Sequence, residues 1–158
     1  MKLISRNQPL GFAERTKKNL AAIEAAASNG QDVHLVTQVV TSLLGLVAFP
    51  WEKNASAAVN SQSLAKLVEK GCPQWTFSLG TCATLGDLAK HLRNAIAHGR
   101  FSFSSESRDL AEVTIEFEDW KPKASVAHWR ASIRADQLHE FCLHFITLVK
   151  GAVGPGAQ

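Results

Sequence analysis

The spacing of apolar residues predicts two helices near the start of the chain. From residue 10 to residue 29, apolar or small residues recur every three or four positions and form one face of a helix. Asn29 and Gly30 tolerate the left-handed conformation that ends a helix, and Asp32 is a candidate N-cap for a second helix over residues 33–49. Because few residues separate the two, we expect an antiparallel helical hairpin. The apolar face of the first helix comprises Phe12, Thr16, Leu20, Ile23 and Ala27.

The middle of the chain has weaker periodicity. The second predicted helix is apolar on nearly every side, so we expect it to be enclosed in the core or at a subunit interface. Pro50 ends it, and the small and polar residues 54–60 predict a loop. Residues 61–70 predict a short helix closed by Gly71, whereas residues 74–82 show no clear period.

The next predicted helix has a signal at each end. Thr84 and Asp87 have the spacing of an N-terminal capping box, with Asp in the acidic position. His98 ends the helix, and Gly99 is the expected left-handed residue after it. The apolar face between these ends is formed by Leu85, Leu88, Leu92 and Ile96.

After Gly99 the period changes to two, which indicates strands with one solvent-facing side. Phe101 and Phe103 begin the alternation, and residues 113–117 and 128–133 continue it on either side of a turn that contains Pro122. A closing helix over residues 136–150 and a flexible tail over residues 151–158 complete the prediction.

These elements predict a single, mainly α domain over residues 1–150. It is a bundle of four to five helices with a small antiparallel β-hairpin or sheet inserted before the last helix. A length of 158 residues suits one domain, and an apolar fraction of 46% excludes a wholly disordered chain.

Charge and cysteine usage narrow the classes of partner. The formal net charge of +3 permits nucleic acid as a partner without requiring it. Cys72, Cys82 and Cys142 are odd in number and lack zinc-site spacing, which favours reduced thiols and a cytoplasmic protein. The uncharged stretch over residues 33–51 contains several polar residues and Pro50, so we expect a buried helix and no membrane span.

The candidate chemistry lies near the end of the helix that Gly99 follows. Arg93, Asn94 and His98 occur within six residues of one another. An imidazole transfers protons near neutral pH, and a guanidinium grips phosphate oxygens, which together suit RNA cleavage without a metal ion. Asn94 and His98 share a helix face, but Arg93 and His98 are about 140° apart on an ideal helix. Either Arg93 uses its long reach or a second copy of the helix completes the site.

The same residues also have an ordinary structural interpretation. His98 is placed to interact with the negative end of the helix dipole. Arg93 could pack its stem along Leu92, and Asn94 could be a solvated polar residue. Spacing by itself does not separate this interpretation from catalysis.

The chain resembles the HEPN superfamily, in particular its bacterial single-domain nucleases. The run from Arg93 to His98 is similar to the signature of Arg, a polar residue, three further residues and His. Residues 12–20 resemble the first helix of those nucleases, and residues 36–50 resemble the second. The late strand pair and closing helix also fit, so the resemblance covers most of residues 8–150.

The resemblance implies a homodimer of conflict or toxin systems that brings two motifs to one cleft and cleaves RNA without metal or another cofactor. His98 would transfer protons, Arg93 would bind the phosphate and Asn94 would position the reacting groups. The RNA 2′-hydroxyl would attack the adjacent phosphorus, which DNA cannot do. An antitoxin protein would be a further partner. The superfamily also contains non-catalytic members, so the alternative is a dimer that binds nucleotide, RNA or a protein.

Other polar residues are candidates for the same cleft. Scattered basic residues usually serve solubility, and polar residues beside apolar stripes usually form internal hydrogen bonds. His91 could approach His98, although a solvated surface histidine is the more common role. Trp120 and Trp129 could stack on bases, with core packing the safer interpretation for Trp129. The candidate RNA-binding residues are Lys90, Arg100 and Arg15, and the candidate supporting residues are Thr16, Asn19, Gln38 and Ser42.

Overall fold

The computed structural model describes residues 8–48 and 53–153, which form helices, one antiparallel sheet and the turns and loops that connect them. The described helices are α1 (Gln8–Ser28), α2 (Leu35–Ala48), α3 (Lys53–Asn60), α4 (Leu64–Glu69), α5 (Leu85–Ala97) and α6 (Ala135–Val153). The strands are β1 (Thr76–Leu79), β2 (Phe101–Phe103), β3 (Thr114–Trp120) and β4 (Ala127–Arg134). The mainly α class is confirmed, with six described helices where four to five were expected.

Helices α1 and α2 form the expected hairpin, and both pack against α6. Gly30 has a φ of +73° in the connection, as the sequence predicted. Helix α2 begins at Leu35, so Asp32 is not its N-cap; the Asp32 carboxylate instead pairs with Arg108. Six α2 side chains are buried, while Thr37 and Thr41 remain exposed. The expected end of α2 at Phe49 and Pro50 lies outside the described residues.

Gly45 allows the close approach of α1 to α2. A Cβ atom at this position would lie 2.7 Å from Cζ of Phe12. We expect Gly45→Ala to stabilise the protein less than a Gly→Ala change at an unobstructed helix position, because the tip of the Phe12 ring must shift and this offsets the gain of up to about 1 kcal/mol in helix propensity. Gly11→Ala on α1 is the matched control, since a Cβ there meets nothing within 4 Å and should stabilise the helix. Urea unfolding of both variants measures the difference, and equal stabilisation by both would contradict this packing.

Helix α3 replaces the loop that the sequence predicted over residues 54–60. Alanine at positions 55, 57 and 58 favours a helix, and Val59 is buried. Helix α3 packs against α5 and α6, so tertiary contacts stabilise this short, polar segment. The next helix, α4, lies within the predicted range, with Ser63 as its N-cap and Gly71 at a φ of +91° after it.

Both end signals of α5 are confirmed. The Thr84 hydroxyl accepts a hydrogen bond from the Asp87 backbone N–H at 3.2 Å, and the Asp87 carboxylate accepts one from the Thr84 N–H at 3.3 Å. His98 is the C-cap residue, and Gly99 follows with a φ of +63°. These caps fix where the helix ends, and therefore where His98 stands.

The sheet is larger than a hairpin inserted before the last helix. Its strand order is β1-β4-β3-β2, and every neighbouring pair is antiparallel. The β3–β4 hairpin and the β2 strand were expected, but β1 precedes α5 and was not. Strand β1 has only four residues and three exposed side chains, so it lacks the alternation that reveals a strand.

One face of the sheet packs against the helices and completes the core. Ile115, Phe117 and Trp129 point inward and are at most 1% exposed. Helix α6 supplies much of the opposing apolar surface and continues through Val153, so residues 151–153 are helical where a flexible tail was expected. Residues 154–158 lie outside the described part. No helix in the described ranges has the length and apolarity that crossing a lipid bilayer requires.

The three cysteines are free thiols. Burial raises the pKa of Cys72 to about 11 and that of Cys142 to about 12. Burial also raises the pKa of the Cys82 thiol. These thiols are therefore protonated and weakly nucleophilic at neutral pH.

Candidate functional site

Helix α5 has three faces with different surroundings. Leu85, Leu88 and Leu92 point into the core, whereas Lys90 and Arg93 are exposed to solvent. A third side faces β3 and carries His91 and Asn94, which are both half-buried. The motif residues Arg93 and Asn94 are therefore adjacent in sequence but face different environments.

Arg93 and His98 are both accessible from solvent. Arg93 is exposed and forms no salt bridge with any residue that the structure describes. His98 is exposed at the C-cap, where its backbone N–H bonds to the Asn94 carbonyl at 3.1 Å. Its position also suits the helix-dipole interaction that the sequence left open. Both side chains are available to a ligand or to a second copy of the chain.

Asn94 is held by a buried carboxylate. Its Nδ2 donates a hydrogen bond to Oδ2 of Asp119 at 3.2 Å, and His91 Nδ1 lies 2.7 Å from the same oxygen. Asp119 is 3% exposed and occupies an inward position of β3, following Ile115 and Phe117. A carboxylate buried in this way requires polar partners, and α5 provides them.

Histidines on two elements complete this group. The His91 ring stacks on the Trp129 ring, with centroids 4.7 Å apart and an interplanar angle of 7°. His128 places Nε2 at 4.0 Å from Asp119 Oδ2. The surface role that the sequence favoured for His91 is wrong, because it is half-buried and bonded to Asp119, whereas core packing of Trp129 is confirmed. We call His91, Asn94, Asp119 and His128 the Asp119 cluster.

Sequence reasoning did not identify Asp119 or His128. The alternation of Ile115 and Phe117, continued by two positions, places Asp119 on the buried face, so the signal for Asp119 was present. His128 had no comparable signal, because its approach to Asp119 depends on an irregular register between β3 and β4.

The predicted RNA-binding residues are spread over the surface. Lys90 is exposed on α5 and Arg15 is exposed on α1. Arg100 is half-buried, with its guanidinium 4.8 Å from the centre of the Trp120 ring. No hydrogen bond or salt bridge among the described residues joins these three to Arg93 or His98.

A shallow depression of about 260 Å³ lies next to the C-terminal end of α5 and is lined in part by Gly99, the residue after His98. Glu116 and Glu118 line it together with Arg100, so its charge is mixed. Hydrogen bonds donated by the Trp120 indole N–H, which has the larger effect, and by Arg130 lower the pKa of Glu118. This carboxylate is therefore negative at neutral pH. A phosphate group is therefore better placed on the exposed Arg93 side than in this depression.

The predicted supporting residues divide between buried and exposed positions. Thr16 and Ser42 are buried, and Gln38 Nε2 donates to Ser42 Oγ at 3.3 Å along α2. Asn19 is exposed on α1. The hydrogen bond between Gln38 and Ser42 agrees with an internal role for this pair.

Comparison with known proteins identifies the family. The family model described as HEPN pEK499 p136 matches residues 1–154 of the chain. No curated protein and no solved structure matches it. The match spans α5 with Arg93, Asn94 and His98, as well as the strands that bury Asp119. On this match over nearly its whole length, the chain belongs to the HEPN pEK499 p136 family and so to the HEPN superfamily.

Proposed function

We propose that this protein is a metal-independent endoribonuclease. The observation that carries the proposal is the exposure of both Arg93 and His98 at one end of α5, in a chain of a HEPN family. Exposure leaves the imidazole free to exchange protons with substrate and leaves the guanidinium free to bind phosphate.

The proposed reaction uses the RNA 2′-hydroxyl as nucleophile. Its oxygen bonds to the adjacent phosphorus as the bond from phosphorus to the 5′ oxygen breaks, which leaves a 2′,3′-cyclic phosphate and a 5′-hydroxyl. His98 exchanges the protons that leave the 2′ oxygen and reach the 5′ oxygen. Arg93 stabilises the charge on the phosphate oxygens, and Asn94 positions the reacting groups.

A homodimer is part of the proposal. On an ideal helix, positions 93 and 98 are about 140° apart, so one copy would direct both side chains to the same point only through the long reach of Arg93. Two copies of α5 related by a two-fold axis would let Arg93 of one chain act with His98 of the other. The exposed positions of both residues leave room for this arrangement.

The test is cleavage of RNA by the purified protein in excess EDTA. We expect cleavage with 2′,3′-cyclic phosphate ends, together with no cleavage of DNA or of RNA carrying a single 2′-deoxy nucleotide at the cut site. An intact 2′-deoxy control and a cleaved all-ribose strand would support 2′-hydroxyl attack. Intact RNA that is shifted in a native gel would instead support the non-catalytic binding dimer, and cleavage of the 2′-deoxy substrate would contradict the mechanism.

A further inference from the structure

The Asp119 cluster contains a donor set that suits a transition-metal ion. His91, Asp119 and His128 each offer one ligand atom, and these atoms all lie within 4.8 Å of one another. Two imidazoles and one carboxylate form the type of three-residue set that binds Zn²⁺ with one position left open. We propose that these three residues bind a single first-row transition-metal dication, with Zn²⁺ as its representative.

The distances are close to those of a bound ion. Ligand bonds of about 2.0–2.1 Å place the ligand atoms of a tetrahedral Zn²⁺ about 3.3 Å apart. His91 Nδ1 lies 2.7 Å from Asp119 Oδ2, and His128 Nε2 lies 4.0 Å from that oxygen. These two distances bracket the required value, and all three ligand atoms lie within 4.8 Å of one another, so binding would draw His128 towards the other two ligands and move His91 slightly away from Asp119.

A β-bulge directs His128 toward the other two ligands. Asp119 pairs with Trp129 and Trp120 pairs with Ala127, so His128 is the extra residue between the paired positions of β4. A bulge re-aims a side chain that regular alternation would direct to the opposite face. The register irregularity thus accounts for the approach of His128 to a carboxylate on the buried face of the sheet.

The His128 ring has unused hydrogen-bonding capacity. Its Nδ1 is buried and has no hydrogen-bond partner among the residues that the structure describes. Its Nε2 is beyond hydrogen-bond distance of Asp119. The Nε2 atom, which forms no hydrogen bond with Asp119, is the atom that would bind the ion, and Nδ1 would then need a separate acceptor because a metal-bound imidazole normally donates its second ring N–H.

The other two ligands are already held in place. Stacking on Trp129 fixes the plane of the His91 ring, and the Asn94 amide hydrogen bond orients the Asp119 carboxylate. Such outer contacts raise the metal affinity of a site by limiting ligand movement. The exposed fraction of the side chain rises from 5% for Asp119 to 34% for His128, so the group is open on the His128 side. An ion and its fourth ligand, a water molecule, could enter there.

This proposal is independent of ribonuclease activity. Its ligands are His91, Asp119 and His128, whereas the proposed reaction uses Arg93, Asn94 and His98 and proceeds in EDTA. Asn94, which donates a hydrogen bond to Asp119, is common to both, and no test of the metal site changes it. A failure of either proposal therefore leaves the other intact.

Cobalt binding tests the site directly. The untagged full chain, freed of metal with EDTA and then dialysed, is titrated with Co²⁺, whose visible absorption reports coordination by protein ligands. We expect saturation at one Co²⁺ per chain, and loss of the visible bands when Zn²⁺ is added in competition. Asp119→Asn and His128→Gln should each weaken binding at least tenfold, while the exposed His34→Gln should leave it unchanged.

Several outcomes would overturn the proposal. These are the absence of saturable Co²⁺ absorption in the wild type, an unchanged affinity in His128→Gln, or an equal loss in His34→Gln. Circular dichroism checks the fold of each variant. Should Asp119→Asn unfold, His128→Gln decides the question, because it changes a side chain at the more exposed edge of the cluster.

Discussion

Replacing His98 with alanine is expected to lower the rate of RNA cleavage by about 10²–10⁴-fold, the usual contribution of a positioned general acid or base. Arg93→Ala should lower it by about 10²–10³-fold, because charge on the phosphate oxygens would lose its stabilising donor. Arg93→Lys should restore little activity, since an ammonium group lacks the forked geometry of guanidinium. Single-turnover cleavage of a labelled RNA in EDTA measures all three rates.

Matched controls separate catalysis from general charge and from helix stability. His34→Ala removes another exposed histidine, and Lys66→Ala removes an exposed positive charge on α4; neither should change the rate. If the only role of His98 is to stabilise the C-terminal end of α5 through the helix dipole, His98→Ala will lower the melting temperature and leave the cleavage rate unchanged. That result, or full activity in Arg93→Ala, would contradict the proposed roles.

Replacing Phe117 with alanine is expected to lower the free energy of unfolding by about 3–5 kcal/mol. Phe117 is fully buried at the centre of β3, and its ring lies 5.9 Å from that of Trp75 and 6.2 Å from that of Phe101. Truncation would leave a cavity between the sheet and the helices. A domain of this size has a total stability of about 5–15 kcal/mol, so the loss would be a large part of it. Urea unfolding followed by circular dichroism measures the change.

Phe103 on β2 is the control for this prediction. It is the same residue type in the same sheet, but it lies on an edge strand and is 43% exposed. Phe103→Ala should cost less than about 1 kcal/mol, because little apolar surface would be returned to water. An equal cost for the two substitutions would show that the core is not centred on β3.

Local signals explain which elements the sequence predicted. The Thr84–Asp87 capping box and Gly99 define α5 within a few residues, and the period of two defines β2, β3 and β4. Strand β1 has no such signal because it is stabilised by pairing with β4, far along the chain. Helix α3 also lacked a local sequence signal. Its residues are mostly small or polar, and its contacts with α5 and α6 stabilise it.

The same contrast between local signals and long-range contacts explains which residues of the candidate site the sequence predicted. Arg93, Asn94 and His98 were found because they form a compact motif on one helix. The sequence did not reveal Asp119 as the partner of Asn94, because Asp119 is 25 residues away and contacts Asn94 only when β3 packs against α5. His128 required the register of the β3–β4 hairpin, which alternation alone does not fix when a bulge intervenes.

The strand order has a consequence for synthesis of the chain. β4 lies between β1 and β3, yet of the strands described it is the last to leave the ribosome. Until it emerges, β1 has no partner and Asp119 lacks both the Trp129 pairing and His128. A product truncated before residue 127 would therefore carry the Arg93–His98 helix on an incomplete sheet, with its apolar face exposed to chaperones and proteases.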